Sequence, residues 1–114
     1  MIVAVIMTVF NRLDKTKRCI RDLEKALKDV KHTYFITNDG STDGTKEFLQ
    51  SIKGIQCVIY DGDGTLFWNR GMYFSYEKAL QYDFDFYLWV NNDTTFYSNA
   101  WKKLMDDYNT AKKR

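Results

Sequence analysis

Four short stretches hold most of the side chains that could do chemistry. They read Thr8-Val9-Phe10-Asn11-Arg12, Asn38-Asp39-Gly40-Ser41-Thr42-Asp43-Gly44-Thr45, Asp61-Gly62-Asp63-Gly64-Thr65 and Asn91-Asn92-Asp93-Thr94. Their aspartates suit two tasks. A carboxylate such as Asp39 accepts the N3–H of uracil or thymine and rejects a base that presents an acceptor there. A carboxylate such as Asp93 is an oxygen ligand for Mg²⁺ or Mn²⁺, the cations that neutralise a nucleotide diphosphate. Other chemistries fall away. A lone histidine, His32, and two distant cysteines, Cys19 and Cys57, exclude a His/Cys zinc site. No G-x-G-x-x-G follows the first apolar run, and no Walker lysine loop occurs.

Each stretch follows an apolar, β-branched or aromatic run, at residues 2–10, 33–37, 55–60 and 85–90. Continuous apolarity without alternation predicts strands buried on both faces, as in a parallel sheet. Helical patterns lie between the runs. Ile20, Leu23, Leu27 and Val30 recur at helical spacing from about Asp14, and Phe48, Leu49 and Ile52 form a second stripe stopped by Gly54. Met72, Tyr76, Ala79 and Leu80 mark a third helix. Trp101, Leu104, Met105 and Tyr108 mark a fourth, with Ser98 placed to cap it. The order βαβαβαβα predicts an open α/β sheet. Ligands of such sheets bind beyond the carboxyl ends of the strands, where all four polar stretches fall.

The third stretch, as part of Cys-Val-Ile-Tyr-Asp-Gly-Asp-Gly-Thr-Leu at 57–66, resembles the nucleophile loop of haloacid dehalogenase-type phosphatases. That resemblance implies a Mg²⁺ phosphohydrolase in which Asp61 attacks phosphorus and Asp63 handles the proton. The rest of the chain disagrees. Such a site needs a Ser or Thr on a later strand, a lysine, and an acidic pair at a further strand end. Only one strand is predicted after Asp61, while Lys102, Lys103, Asp106 and Asp107 fall on a predicted helix. Two β-α units also precede a motif that normally opens its domain.

A second resemblance covers essentially the whole chain. Thr-Val-Phe-Asn-Arg at 8–12, Asn-Asp-Gly-Ser-Thr-Asp-Gly-Thr at 38–45 and Tyr-Leu-Trp-Val-Asn-Asn-Asp at 87–93 resemble family 2 glycosyltransferases of the GT-A fold, in order and spacing. Residues 62–80 look like the third-strand loop and helix of the rhamnosyltransferase-like branch, which implies that Asp61-Gly62-Asp63-Gly64 starts a sugar-nucleotide loop and that its phosphatase likeness is coincidence. The resemblance implies that the first two loops hold a nucleotide and that a D-x-D-type motif holds a divalent metal. On this chain, Thr8, Phe10, Asn11 and Arg12 would line the base and ribose, and Asp39 would receive the base N3–H. Asn91 would accept from the ribose, and Asp93 would bind Mg²⁺ or Mn²⁺. Trp68 would cover the donor sugar, while Arg70 and Asn92 would meet sugar or diphosphate, helped by a helix N-terminus. Asn91 stands where the family often has the first Asp, so its amide brings an acceptor but no charge.

Each of these positions also has a plain structural role open to it. Asp39-Gly40 can turn the chain, and Asp43 suits a helix cap. Residues 8–12 can form a solvated loop, and residues 91–94 an Asx-type turn. Trp68 can pack beside a surface Arg70. Tyr73, Tyr76, Trp101 and Tyr108 are expected in the core.

Composition sets the remaining limits. A chain of 114 residues, 45% hydrophobic and 28% charged, has the make-up of one globular domain. Its net charge of +2 makes no case for nucleic acid. An aromatic content of 17% calls for use in core or stacking. Cys19 and Cys57 are expected as buried thiols in a reducing compartment, and His32 at the surface. The apolar start has no basic n-region or cleavage site and is too short to span a bilayer, so a cytoplasmic location is expected, with membrane association only through missing regions. An inverting transferase also needs a base and an acceptor surface. The resemblance places both after the D-x-D segment, where one helix is predicted here.

The expected protein is therefore a single nucleotide-sugar-binding domain over residues 1–114. Its fold is α/β, a Rossmann-like open and mostly parallel sheet of strand order 3-2-1-4 with helices on both faces. It corresponds to the N-terminal half of a GT-A fold, truncated on its C-terminal side. The expected donor is a UDP- or dTDP-sugar and the acceptor a glycan or lipid-linked group, with a stand-alone nucleotide-binding module without catalysis as the alternative.

Overall fold

The computed structural model describes residues 2–93 and 99–112. Ser98 and Thr94, given roles above, lie outside the described residues. The elements are β1 (Ile2–Val9), α1 (Leu13–Ala26), β2 (Lys31–Asp39), α2 (Thr45–Ser51), β3 (Cys57–Gly62), α3 (Phe67–Ala79), β4 (Phe86–Asn91) and α4 (Ala100–Lys112). The strands form one four-stranded sheet in the order β3-β2-β1-β4, and every pairing is parallel. This is the predicted order.

Strand β1 is central, and its residues alternate between two cores. Val3, Val5, Met7 and Val9 pack with Cys19, Ile20 and Leu23 of α1 and Leu49 of α2, with Trp101 of α4 at the margin. Ala4 and Ile6 pack with Met72 and Ala79 of α3. Both faces are thus covered, which is why β1 reads as an unbroken apolar run. A side chain such as Leu23, completely enclosed, is worth about 2–5 kcal/mol against truncation to Ala. The edge strands β3 and β4 are less enclosed, and Trp89 on β4 is exposed.

Several local expectations change. Helix α1 ends at Ala26, where Leu27 N–H closes onto the Leu23 carbonyl, so Val30 joins the core from beyond the helix. His32 is not at the surface. Its side chain is 12% exposed, with Nδ1 2.6 Å from the Val30 carbonyl oxygen and Nε2 2.6 Å from Glu24 Oε2. Glu24 also accepts the Tyr34 hydroxyl at 2.6 Å, and burial, then that carboxylate, pushes the Tyr34 phenol up. Cys19 is buried as expected, but Cys57 is only half-buried, and burial pushes its thiol up to about 11.

Tyr73 and Tyr108 are exposed rather than core residues, although the Tyr108 ring meets Phe86 edge-on at 5.2 Å. Tyr76 packs as expected, edge-on to Tyr87 at 5.5 Å and Trp89 at 5.3 Å. Much of the aromatic content thus serves as edge-to-face packing of α3, and of Phe84 beyond it, against the sheet. Among the described residues, no helix is long and apolar enough to cross a membrane.

Candidate functional site

The parallel register brings the polar stretches to one end of the sheet. Thr8 pairs with Thr37 on one side and Asn91 on the other, while Asp39 pairs with Gly62. A cavity of about 350 Å³ opens there, lined by Thr8, Phe10, Arg12, Asp39, Gly64, Phe67, Trp68 and Asn92. A second, of about 370 Å³, shares Arg12, Trp68 and Asn92 and adds Asn91 and Asp93.

Thr8 is 7% exposed, and its Oγ1 is buried with no hydrogen-bond partner. A hydroxyl in that state normally costs stability, and native proteins rarely leave one so. Helix α3 crosses against it. A Cβ at Gly71 would lie 2.5 Å from Thr8 Cγ2 and 2.6 Å from Thr8 Oγ1, so only glycine lets the helix pass this close. Thr37 fixes that crossing by donating its hydroxyl to the Gly71 carbonyl at 2.9 Å.

Asp39 is 2% exposed, and three backbone amides of the β3–α3 loop converge on it. Gly64 and Leu66 donate to Oδ1 at 2.9 and 3.3 Å, and Phe67 donates to Oδ2 at 2.9 Å. A Cβ at Gly62 would fall 2.5 Å from Asp39 Oδ1, so the glycine clears the carboxylate's place. Asp39 both borders the cavity and shapes the loop that closes it.

The β1–α1 loop is held by its neighbour. Asn11 and Arg12 both have left-handed backbones, φ 55° and 59°. Asn11 N–H donates to Ser41 Oγ at 2.9 Å, and its side-chain oxygen accepts Thr42 N–H at 2.7 Å. Asn11 therefore ties two loops together and does not line either cavity. Asp43 serves two helices. Its Oδ1 accepts Thr45 N–H at 3.1 Å and its Oδ2 accepts Leu13 N–H at 3.0 Å, while Gly44 occupies the N-cap position of α2 itself. The Thr45 hydroxyl, with those amides, holds the Asp43 carboxyl below its usual range.

The glycines of the Asp-Gly-Asp-Gly motif shape the site, with Gly64 lining the first cavity, but its two aspartates stay outside. Asp61 is exposed on the edge strand β3, where Lys46 Nζ lies 2.7 Å away and draws its carboxyl below the usual range. Asp63 accepts Thr65 N–H at 2.9 Å in a local turn, and the Thr65 hydroxyl lowers its carboxyl in the same sense. Neither residue lines either of the two cavities, so the nucleophile role considered for Asp61 has no support there.

Asn92 donates its amide to Thr16 Oγ1 at 3.1 Å, which anchors the end of β4 to α1. Asp93 is exposed at the second cavity. No group of three or more His, Cys, Asp or Glu placed to hold a metal occurs among the described residues. Arg70 is exposed on the first turn of α3 and is not among the cavity-lining residues. Gly64 and Phe67, which the resemblance put in the third-strand loop and helix with no contact of their own, are. Their only trace in the sequence is a glycine-rich loop after β3, and Asp39's pull on that loop is a long-range contact.

Of the residues expected to act together, Thr8, Phe10, Arg12, Asp39, Trp68 and Asn92 meet at the first cavity, and Asn91 and Asp93 at the second. Comparison with curated proteins finds no match. The family model described as "Glycosyl transferase family 2" matches residues 4–113, and the all-parallel 3-2-1-4 sheet with its four helices is consistent with the N-terminal half of a GT-A fold. With that match spanning nearly every residue of the sheet and its loops, this chain belongs to the family 2 glycosyltransferases.

Proposed function

We propose that this chain is the donor-binding part of a family 2 glycosyltransferase of the rhamnosyltransferase-like branch. Its donor is a UDP- or dTDP-sugar bound with Mg²⁺ or Mn²⁺, and its acceptor is a glycan or lipid-linked group. The pairing of Thr8 and Asp39 in one cavity carries this assignment. A carboxylate offers about four acceptor positions. Backbone amides take three of Asp39's, which leaves room for a single further donor. A carboxylate able to accept once more matches the N3–H that uracil and thymine share. Thr8 borders the same cavity and carries a hydroxyl with no partner inside the protein, which a rotation of its side chain would offer to the neighbouring C=O. Cytosine presents a bare N3 acceptor and mismatches.

Phe10 offers an exposed ring to the base face, and Asn91 offers its amide to the ribose. Arg12 borders both cavities and takes the diphosphate contact that the sequence suggested for Arg70. Trp68, also between the two, covers the donor sugar. Asp93 brings a carboxylate to the second cavity, and Asn91 and Asn92 one amide oxygen each. That donor set fits a hard divalent cation whose other ligands are diphosphate and water oxygens. Such a cation supplies charge neutralisation on the leaving diphosphate. Asn11 acts indirectly, by holding the loop that carries Phe10 and Arg12. No described cavity residue is assigned as base, since Asp39 is committed to its loop and Asp93 to the cation.

Calorimetric titration of UDP, dTDP and CDP in the presence of Mn²⁺ tests the assignment. UDP and dTDP are expected to bind, and CDP about tenfold more weakly or worse, the cost of one mismatched buried hydrogen bond. Equal binding of all three would remove Thr8 and Asp39 from base recognition.

A further inference from the structure

Phe67 opens α3 with φ 56°, a left-handed conformation that a bulky side chain rarely adopts. The residue is 73% exposed, the highest value among the large apolar residues described. Among the described residues it makes no ring contact, whereas its neighbour Trp68 lies edge-on to Trp89 at 6.4 Å. Packing within the chain therefore does not account for the strain. The Phe67 N–H is held in this conformation by Asp39 at 2.9 Å. Strained residues of this kind persist where the surroundings over-determine them and gather at ligand clamps. Phe10, 56% exposed and also without a ring contact among the described residues, borders the same cavity.

We infer that Phe67 is a specificity-determining residue, whose ring joins Phe10 in supplying stacking faces for the planar pyrimidine that Thr8 and Asp39 read along its edge. The inference rests on the nucleotide assignment above and adds a requirement that edge recognition alone does not make. The ligand must be flat and aromatic as well as carry a C=O and an N3–H. Stacking of a base on an aromatic side chain depends on its π-face and not on its edge. Asp39 then couples the two modes, since the carboxylate that borders the cavity also holds the backbone N–H of the stacking residue.

The test compares UDP, 5,6-dihydro-UDP and pyrophosphate, each with Mn²⁺, on the full chain and on Phe67→Leu, Phe67→Tyr and Phe67→Gly. Dihydro-UDP keeps the N3–H and both carbonyls but loses the flat aromatic ring. The parent should prefer UDP over dihydro-UDP by about tenfold. Phe67→Leu should lose about tenfold in UDP affinity and bring the two ligands close to parity. Phe67→Tyr should keep both the affinity and the preference, and pyrophosphate binding should be the same in all four proteins. Phe67→Gly relieves the left-handed strain, so it should melt no lower than the parent and still show the binding loss of Phe67→Leu. An unchanged preference for UDP in the Leu and Gly variants overturns the inference, and so does an equal loss of pyrophosphate binding. Failure of the parent to bind UDP at all overturns the nucleotide assignment first, before any variant is compared.

Discussion

The Asp39 carboxylate accepts the Phe67 backbone N–H at 2.9 Å, across 28 positions of sequence. With Gly64 and Leu66 it closes a three-amide clasp on the β3–α3 loop. Asp39→Ala leaves those amides without their acceptor. Hydrogen bonds to a charged group contribute about 1.5–3 kcal/mol, and water can reach part of this loop, so a loss near the lower end, about 2 kcal/mol, is expected in urea unfolding. Amide exchange at Gly64, Leu66 and Phe67 should accelerate beyond the global effect. Unchanged exchange at those three positions would show that the clasp does not hold the loop in solution.

Thr8→Val should move stability and binding in opposite directions. The valine methyl replaces a buried hydroxyl that has no partner, so folding is expected to gain about 1 kcal/mol. UDP binding should weaken by roughly 3- to 10-fold, the worth of one net hydrogen bond. A variant that is less stable than the parent, or that binds UDP equally well, would place the hydroxyl's partner inside the protein.

Acid should expose the role of Asp43. Its carboxyl is lowered in the folded state, first by the Thr45 hydroxyl and then by the Leu13 and Thr45 amides. A group with a depressed folded pKa contributes stability above its unfolded value, near 3.9, and loses that contribution as pH falls through the folded pKa. The melting temperature of the parent should therefore fall more steeply below about pH 4 than that of Asp43→Asn. Asp61 and Asp63 are lowered in the same sense, so the variant should keep part of the slope. Parallel pH profiles would show that Asp43 contributes nothing at the two helix starts.

Asp93→Ala should separate cation from base. In the parent, Mn²⁺ is expected to bind weakly alone and better with UDP, because diphosphate oxygens complete the ligand set. By linkage, UDP affinity rises by the same factor when Mn²⁺ is added. The variant should lose that reciprocal gain and keep its metal-free UDP affinity. Mn²⁺-independent UDP binding by the parent would end the role given to Asp93.

Much of this arrangement can be read along the chain. The element order, the parallel sheet and the polar strand ends follow from local periodicity, because a strand covered on both faces must be continuously apolar and its exits must turn. Thr8, Phe10, Arg12, Asp39 and Asn91 to Asp93 could be picked out as strand-end residues and Trp68 at a helix entry, and the structure gathers them at two adjoining cavities. Asn11 and Arg70 carried the same kind of signal and do not line them. Position at a strand end does not say whether a side chain turns into the cavity or onto a neighbouring loop.

Strand order, register and helix placement decided the rest. Those set which backbone amides reach Asp39, how closely Gly71 passes Thr8, and that His32 turns inward to Glu24. They also leave Phe67 strained and exposed at the cavity, while most other aromatics of α3 and β4 pack edge to face. Each is a contact between groups far apart in sequence, with an energy that exists only once the sheet has fixed both partners. Residue type alone therefore determined what this chain could bind with, and tertiary structure decided which of those groups face the same space.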